Sequence, residues 1–181
     1  MGSAGNGNCM RFLSRYRRNR HIVSLLVLGV LAIGLILRFF IPAESVENVE
    51  GRAKVIDGDS LIVSGREVRM QGIDAPEGRQ NCRRDGRAWA CGQEARRLLK
   101  RLTGKQKVFC KGLDIDKHDR LLALCRAGGI DLNREMVVRG FAVSYGRYGK
   151  EEQTARKNRT GMWSGEFERP RDWRRNRNIG R

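Results

Sequence analysis

Between Ile22 and Leu37 the chain carries no charged side chain, and this run most constrains what the first part of the molecule can be. With Arg38 counted as a side chain able to snorkel, the apolar stretch reaches Ile41. As helix, these 20 residues span about 30 Å, the thickness of a hydrocarbon core. A helix apolar on every side has no face to give to water, which argues against the surface of a small soluble domain. Residues 1–21 contain Arg11, Arg15, Arg17, Arg18 and Arg20 and no acid, whereas the next acids are Glu44, Glu47 and Glu50. The positive-inside rule then places 1–21 in the cytoplasm, 22–41 across a bacterial inner membrane as a single-pass signal anchor, and everything after Pro42 in the periplasm. A signal peptide cleaved after Ala43 is the alternative, but the run is long for an h-region and Arg38 interrupts its end. Either reading exports the rest.

The exported residues divide into an acidic linker 42–50, a domain 51–163 and a basic tail 164–181. The whole chain has 37 Lys and Arg against 20 Asp and Glu, a formal charge of +17. Such a balance favours an anionic partner: nucleic acid, acidic polysaccharide or anionic lipid. Cys82, Cys91, Cys110 and Cys125 all follow the anchor, an even number in a compartment that permits disulfides. Zinc ligation would want CxxC spacing, which is missing, and His118 is the only exported histidine. The expected pairs are Cys82–Cys91, closing a local loop, and Cys110–Cys125, joining two strands of a hairpin.

Within 51–163, GRAKVID, SLIV and REVRMQGID read as strands separated by Gly-containing turns. Ala88 to Leu102 reads as a helix with Ala95, Leu98, Leu99 and Leu102 on one face, stopped by Gly104. KVFC and LLALC are two further strands flanking the charged loop KGLDIDKHDR. A short helix with Leu132, Met136 and Val137 and a last one from Glu151 to about Arg159 follow. Trp163, Phe167 and Trp173 place the first half of the tail against the domain. This order fits an α+β fold: a five-stranded OB-fold β-barrel capped by about three helices, preceded by one transmembrane helix.

The charges at the turns carry the chemistry. Asp59 ends Val55-Ile56-Asp57-Gly58-Asp59, and Asp74 and Glu77 end Gly72-Ile73-Asp74-Ala75-Pro76-Glu77. Arg69 lies in the third strand and Arg120 just before the fifth. Two aspartates and a backbone carbonyl are hard oxygen ligands of the kind Ca²⁺ takes. A glutamate can accept a proton from water, and two guanidiniums can neutralise a five-coordinate phosphate. Singly, each piece has a plain reading: a turn, a helix cap, a solvent-facing arginine.

Taken in order, VIDGDS, EVRMQGIDAPE, DKHDR and LNREMVVRGFAV resemble the staphylococcal-nuclease (thermonuclease) family, over about Val55 to Trp163. The resemblance implies Asp59, Asp74 and the carbonyl of Ala75 as Ca²⁺ ligands, with Asp57 as a supporting acid of the same turn. It implies Glu77 as general base or water-orienting group, and Arg69 and Arg120 as the arginines that hold the scissile phosphate. Lys117 falls in the loop approaching the terminal phosphate, and Tyr145 and Tyr148 fall where the family places aromatics near the base. His118 reads as a loop residue and Trp89 as a core anchor. The leading expectation is a Ca²⁺-dependent phosphodiesterase acting on DNA and RNA. The other is a non-catalytic module binding nucleic acid or acidic polysaccharide, with a role in exopolysaccharide (succinoglycan) biosynthesis. No protein partner can be inferred.

Overall fold

The computed structural model describes residues 23, 26–33 and 46–178. The chain divides into two compact units, Met1–Ser45 and Val46–Arg181. In the first, 23 and 26–33 are helical, and Leu26, Val27, Leu28, Val30, Leu31 and Ile33 are exposed. No helix among the described residues is long and apolar enough to cross a membrane. The rest of the expected span 22–41, and the whole flank 1–21, lie outside the described residues.

The second unit is built on period-two strands. In β1 (Val49–Val55) Val49 and Val55 are buried while Arg52 and Lys54 face solvent. β2 (Ser60–Val63) and β3 (Arg66–Met70) turn Leu61, Val63, Val68 and Met70 to the same interior. After the two-residue β4 (Ile73–Asp74) and the hairpin of β5 (Cys82–Arg84) and β6 (Arg87–Trp89) comes helix α1 (Cys91–Thr103). Then β7 (Lys107–Ile115) and β8 (Leu121–Ala127) form the longest hairpin, followed by β9 (Ile130–Asp131) and α2 (Leu132–Val138). The unit continues through β10 (Val143–Ser144), α3 (Gly149–Lys157), a 3₁₀ turn (Gly161–Ser164) and α4 (Pro170–Asn176).

Strand order is β3-β2-β1-β7-β8-β9, and a parallel pairing of β3 with β8 closes β1, β2, β3, β7 and β8 into a five-stranded barrel. This is the OB plan, with three helices, α1, α2 and α3, inside 51–163 as expected and α4 in the tail. Alternate residues Val108, Cys110, Leu121, Ala123 and Cys125 fill it, and α1 and α2 plug it with Ala95, Leu99, Leu132 and Met136. Asn133, fully buried on α2, finishes the closure. It donates to the carbonyls of Gln71 and Ala123 at 2.9 and 3.2 Å and accepts the Cys125 amide at 3.0 Å. These bonds tie α2 to β8 and to the turn after β3, adding to the bond that the Gln71 amide already gives the Ala123 carbonyl at 2.9 Å.

Both expected disulfides form, Cys82–Cys91 and Cys110–Cys125, the latter between directly paired residues of β7 and β8. Three element boundaries differ from the expectations. The first long helix begins at Cys91, not Ala88, because Asp85-Gly86, both at positive φ, make a tight hairpin turn that takes Arg87–Trp89 into a strand. The first half of the charged segment after Cys110 is strand: β7 runs to Ile115, pairing with Leu121 past an irregularity between Gly112 and Asp114. Only Asp116–Arg120 remains as loop. The last helix of the 51–163 segment starts at Gly149 and ends at Lys157. A second apolar cluster of Cys82, Cys91, Val143 and Met162, with Trp89, Trp163 and Phe167 against it, lies under the tail.

Candidate active site

Strand register gathers the charged residues at one mouth of the barrel. Ser60 pairs with Arg69, which sets Asp59 beside the arginine, and Arg69 pairs with Leu122 across the closing seam. Arg120 stands two residues before Leu122 and so shares the side of the strand that faces this mouth. Asp74 belongs to β4, which β10 holds through Val143. An open cleft of about 1030 Å³ lies there, lined among others by Arg69, Asp74, Glu77, Lys117, Arg120 and Tyr145.

Arg69 is the hub. Its Nη1 donates to Asp59 Oδ1 at 3.2 Å, and its Nη2 lies 3.1 Å from Asp59 Oδ2 and 3.2 Å from Asp74 Oδ1. Asp59 is almost wholly buried and also accepts from Ser60 Oγ at 3.1 Å and the Ala75 amide at 2.9 Å. Burial pushes its carboxyl up, with Arg69 offsetting part of the effect and Asp57 adding to it. For Arg69, burial opposes the charge, but Asp59 and Asp74 outweigh it and hold the guanidinium ionised. Asp57 organises the turn by accepting the Asp59 amide at 3.1 Å.

Glu77 is set by packing of its loop on α1. A Cβ on Gly92 would lie 1.8 Å from the Glu77 carbonyl oxygen, so only glycine lets the helix start come this close. The Glu77 amide donates to the side-chain carbonyl of the fully buried Gln80 at 3.3 Å, and Cys82–Cys91 ties the end of the loop to the helix. A Cβ on Gly58 would meet Ala75 Cβ at 2.7 Å and Ala95 Cβ at 2.9 Å, so the two acidic turns and α1 pack through a glycine as well.

Arg120 is held by its own loop. Its Nε and Nη2 donate to Asp116 Oδ2 at 2.9 and 2.7 Å, and Asp116 Oδ1 accepts the amides of His118 and Arg120. Burial pushes the Asp116 carboxyl up, but the hydrogen bonds from Arg120 and these amides outweigh it and leave it below the ordinary carboxylate value.

The structure therefore brings together Asp59, Asp74, Ala75, Glu77, Arg69 and Arg120, with Lys117 and an exposed Tyr145 at the cleft rim. Tyr148 is not among the cleft-lining residues. It caps α3 in a left-handed conformation, packs against the barrel core and donates to Asp131 Oδ2 at 3.4 Å. Burial, with Asp131 beside it, pushes the Tyr148 hydroxyl up.

Sequence reasoning missed Arg174. From α4 its Nη1 reaches Asp74 Oδ1 at 2.9 Å and Glu77 Oε1 at 2.7 Å, and its Nη2 donates to Asp74 Oδ2 at 3.2 Å. Burial opposes its charge, and the hydrogen bonds to Asp74 and Glu77 more than reverse this. The signal available was Arg169-Pro170-Arg171-Asp172-Trp173-Arg174, a proline-started helix with a tryptophan to anchor it.

Among the described residues no three His, Cys, Asp or Glu side chains form a group that could hold a metal ion. The donor chemistry nonetheless fits a hard cation completed by carbonyl and water oxygens. Two acidic side chains, both almost wholly buried, touch the same guanidinium nitrogen and converge on one point.

A closed five-stranded OB barrel with paired carboxylates and arginines at its mouth defines a class of small domains suited to phosphate chemistry. The chain belongs to the staphylococcal nuclease family: the family description "Staphylococcal nuclease homologue" matches residues 67–165, more than half of the chain. The chain is 32% identical over 158 residues to the succinoglycan biosynthesis protein ExoI of Rhizobium meliloti, covering 81% of this chain and 83% of that one. It is 31% identical over 175 residues to a micrococcal nuclease of Shigella flexneri, covering 84% and 94%. An uncharacterized endonuclease of Haemophilus influenzae is 29% identical over 138 residues, covering 70% and 72%.

Proposed function

We propose that the domain is a Ca²⁺-dependent nuclease that hydrolyses phosphodiester bonds of DNA and RNA. The observation that carries this reading is the bridging of Asp59 and Asp74 by Arg69 in a cleft that Glu77 and Arg120 also line. Asp59, Asp74 and the Ala75 carbonyl would hold the ion. Bound there, Ca²⁺ would polarise a phosphoryl oxygen. Arg69 and Arg120 grip the non-bridging oxygens and offset charge as phosphorus becomes five-coordinate. Glu77 takes a proton from water as the water oxygen bonds to phosphorus in line, and the bond from phosphorus to the 5′-oxygen breaks. The leaving alkoxide collects a proton, and the products end in 3′-phosphate and 5′-hydroxyl. Phosphate and sugar contacts dominate, so base preference is weak.

The test is hydrolysis of single-stranded DNA by the full chain with Ca²⁺ and with EGTA. Cleavage should require Ca²⁺, and Glu77→Gln should lower kcat by about 10²–10⁴-fold with the far-UV spectrum unchanged. Calcium-independent cleavage, or full activity in Glu77→Gln, would sink the reading.

We further infer a single-pass inner-membrane protein with the nuclease domain in the periplasm. The five arginines before the apolar run and the exposed apolar side chains of 26–33 support it, and the two disulfides fit an oxidising compartment. The name of the Rhizobium meliloti relative fits a module that serves exopolysaccharide production by binding acidic polymer. A binder has no use for Glu77 beside Asp74, so the acid–arginine set favours chemistry.

A further inference from the structure

The tail that carries Arg174 lies beyond the matched residues 67–165, and its docking is specific. Arg83 and Glu166 exchange backbone hydrogen bonds, each at 2.8 Å. Gln80 Nε2 donates to the Glu168 carbonyl at 2.6 Å while its own carbonyl oxygen accepts the Glu77 amide. Pro170 and Trp173 are buried, and the Arg177 guanidinium stacks on the Trp173 ring at 4.5 Å. The tail is thus fastened to the same loop that bears Glu77, and α4 delivers Arg174 across Asp74 and Glu77.

The consequence is electrostatic. Asp59, Asp74 and Glu77 bring three negative charges, and Arg69 and Arg174 already supply two positive ones. Both oxygens of Asp74 are engaged by Arg174. A divalent ion bonded to Asp74 at 2.3–2.6 Å, the usual range for Ca²⁺, would face the guanidinium across a shared oxygen. Like charges at that range, with the site partly shielded from water, repel strongly. Arg174 is a quarter exposed and stands at the cleft edge, so it has solvent and incoming phosphate oxygens to turn to.

We propose that Arg174 is a further residue of this site: it holds a cation's place between Asp74 and Glu77 and gives up Asp74 when the divalent ion binds. The inference rests on the metal-dependent reading above. It makes Arg174 a positioning residue that orients Glu77 before the ion arrives and sets the affinity for the ion.

The experiment is calorimetric titration of the full chain with CaCl₂, comparing wild type, Arg174→Gln and Arg174→Lys. Arg174→Gln should bind Ca²⁺ about 10-fold more tightly, the effect of removing one competing, partly exposed charge. Arg174→Lys, which keeps the charge, should stay near wild type. An Arg174 that merely braces the loop predicts the opposite, since loosening Asp74 weakens binding. Unchanged or weaker binding by Arg174→Gln beside measurable binding by wild type overturns the exchange and leaves the nuclease reading standing. No calcium binding by any of the three overturns both. A second measurement needs no variant. In wild type labelled with ¹⁵N-arginine, the Arg174 Nε–H resonance should move on adding CaCl₂, and a resonance that stays put while Ca²⁺ binds also overturns the exchange.

Discussion

Arg69 contacts both expected metal-ligand acids through one planar fork, and this geometry cannot be copied by another cation. A lysine there keeps the charge but presents a compact ammonium that cannot reach both oxygens of Asp59 and one of Asp74 at once. Arg69→Lys should therefore keep the barrel and lose turnover by about 10²-fold or more, the scale of one transition-state donor. Matched far-UV spectra and a single-turnover rate check it, and near-normal turnover would mean that charge alone is what the position supplies. At this scale the sequence was most informative where acid and turn coincide. Asp59, Asp74 and Glu77 lie at or just after turns marked by glycine and proline, and it was the ordered motifs holding them, not their spacing alone, that pointed to one site. Spacing alone does not reveal that the Tyr148 backbone turns left-handed and that its ring packs against the barrel core rather than lining the cleft. Arg174 was invisible for a different reason. Its partners are Asp74 and Glu77, about a hundred residues earlier, and no local pattern encodes where a basic tail will land.

Among the elements, α3 shows how the parts around the cleft are tied together. Glu152, buried on α3, accepts the Ser144 amide of β10 at 2.5 Å and Arg169 of the tail at 3.0 Å, and it also pairs with Arg156. Burial pushes its carboxyl up, but the Ser144 amide and the two arginines outweigh this and set it below the ordinary value. The sign follows directly. A carboxyl depressed in the folded state stabilises fully above its unfolded pKa, near 4.3, and that stability is lost as pH falls through the lower folded value. Glu152→Gln should cost about 1 kcal/mol at pH 7, kept small because both arginines are half exposed. The gap to wild type should narrow below about pH 4, as read by urea unfolding at pH 7 and pH 3. A gap independent of pH would assign the loss to packing. The strands of the barrel were legible because apolar residues alternate in β1, β7 and β8. The start of α1 was not, because helical periodicity over WACGQEARRLLKRL hid the Asp85-Gly86 turn that commits Arg87–Trp89 to a hairpin. The charged stretch after Cys110 hid its strand in the same way: polar side chains face out while the backbone still pairs with β8.

For the molecule as a whole, the charge of +17 has to be divided before it says anything about substrate. Residues 1–21 hold five arginines and no acid, a share that on the proposed membrane reading concerns orientation rather than substrate. Residues 51–163 hold a net +11 and the tail a further +3. Much of even this is spent on ion pairs: Arg66 with Asp119, Arg69 with Asp59 and Asp74, Arg120 with Asp116, Arg174 with Asp74 and Glu77. Lys117, Arg147 and Arg171 line the cleft and form no ion pair among the described residues, so they are the charges a polyanion would meet first. Each phosphate neutralised on a single strand releases counterions and steepens log K against log salt by about 0.7. Three such contacts contribute about −2 to the slope for a single-stranded oligonucleotide bound to the non-cleaving Glu77→Gln protein, beyond what the phosphate held by Arg69 and Arg120 adds. Arg147→Ala with Arg171→Ala should make that slope shallower by about 1.4, since two of the contacts are gone. Fluorescence anisotropy across a salt series measures both. If the double variant keeps the full slope, the polyanion is held by another basic surface, and the acid–arginine cleft would not be where the substrate lies.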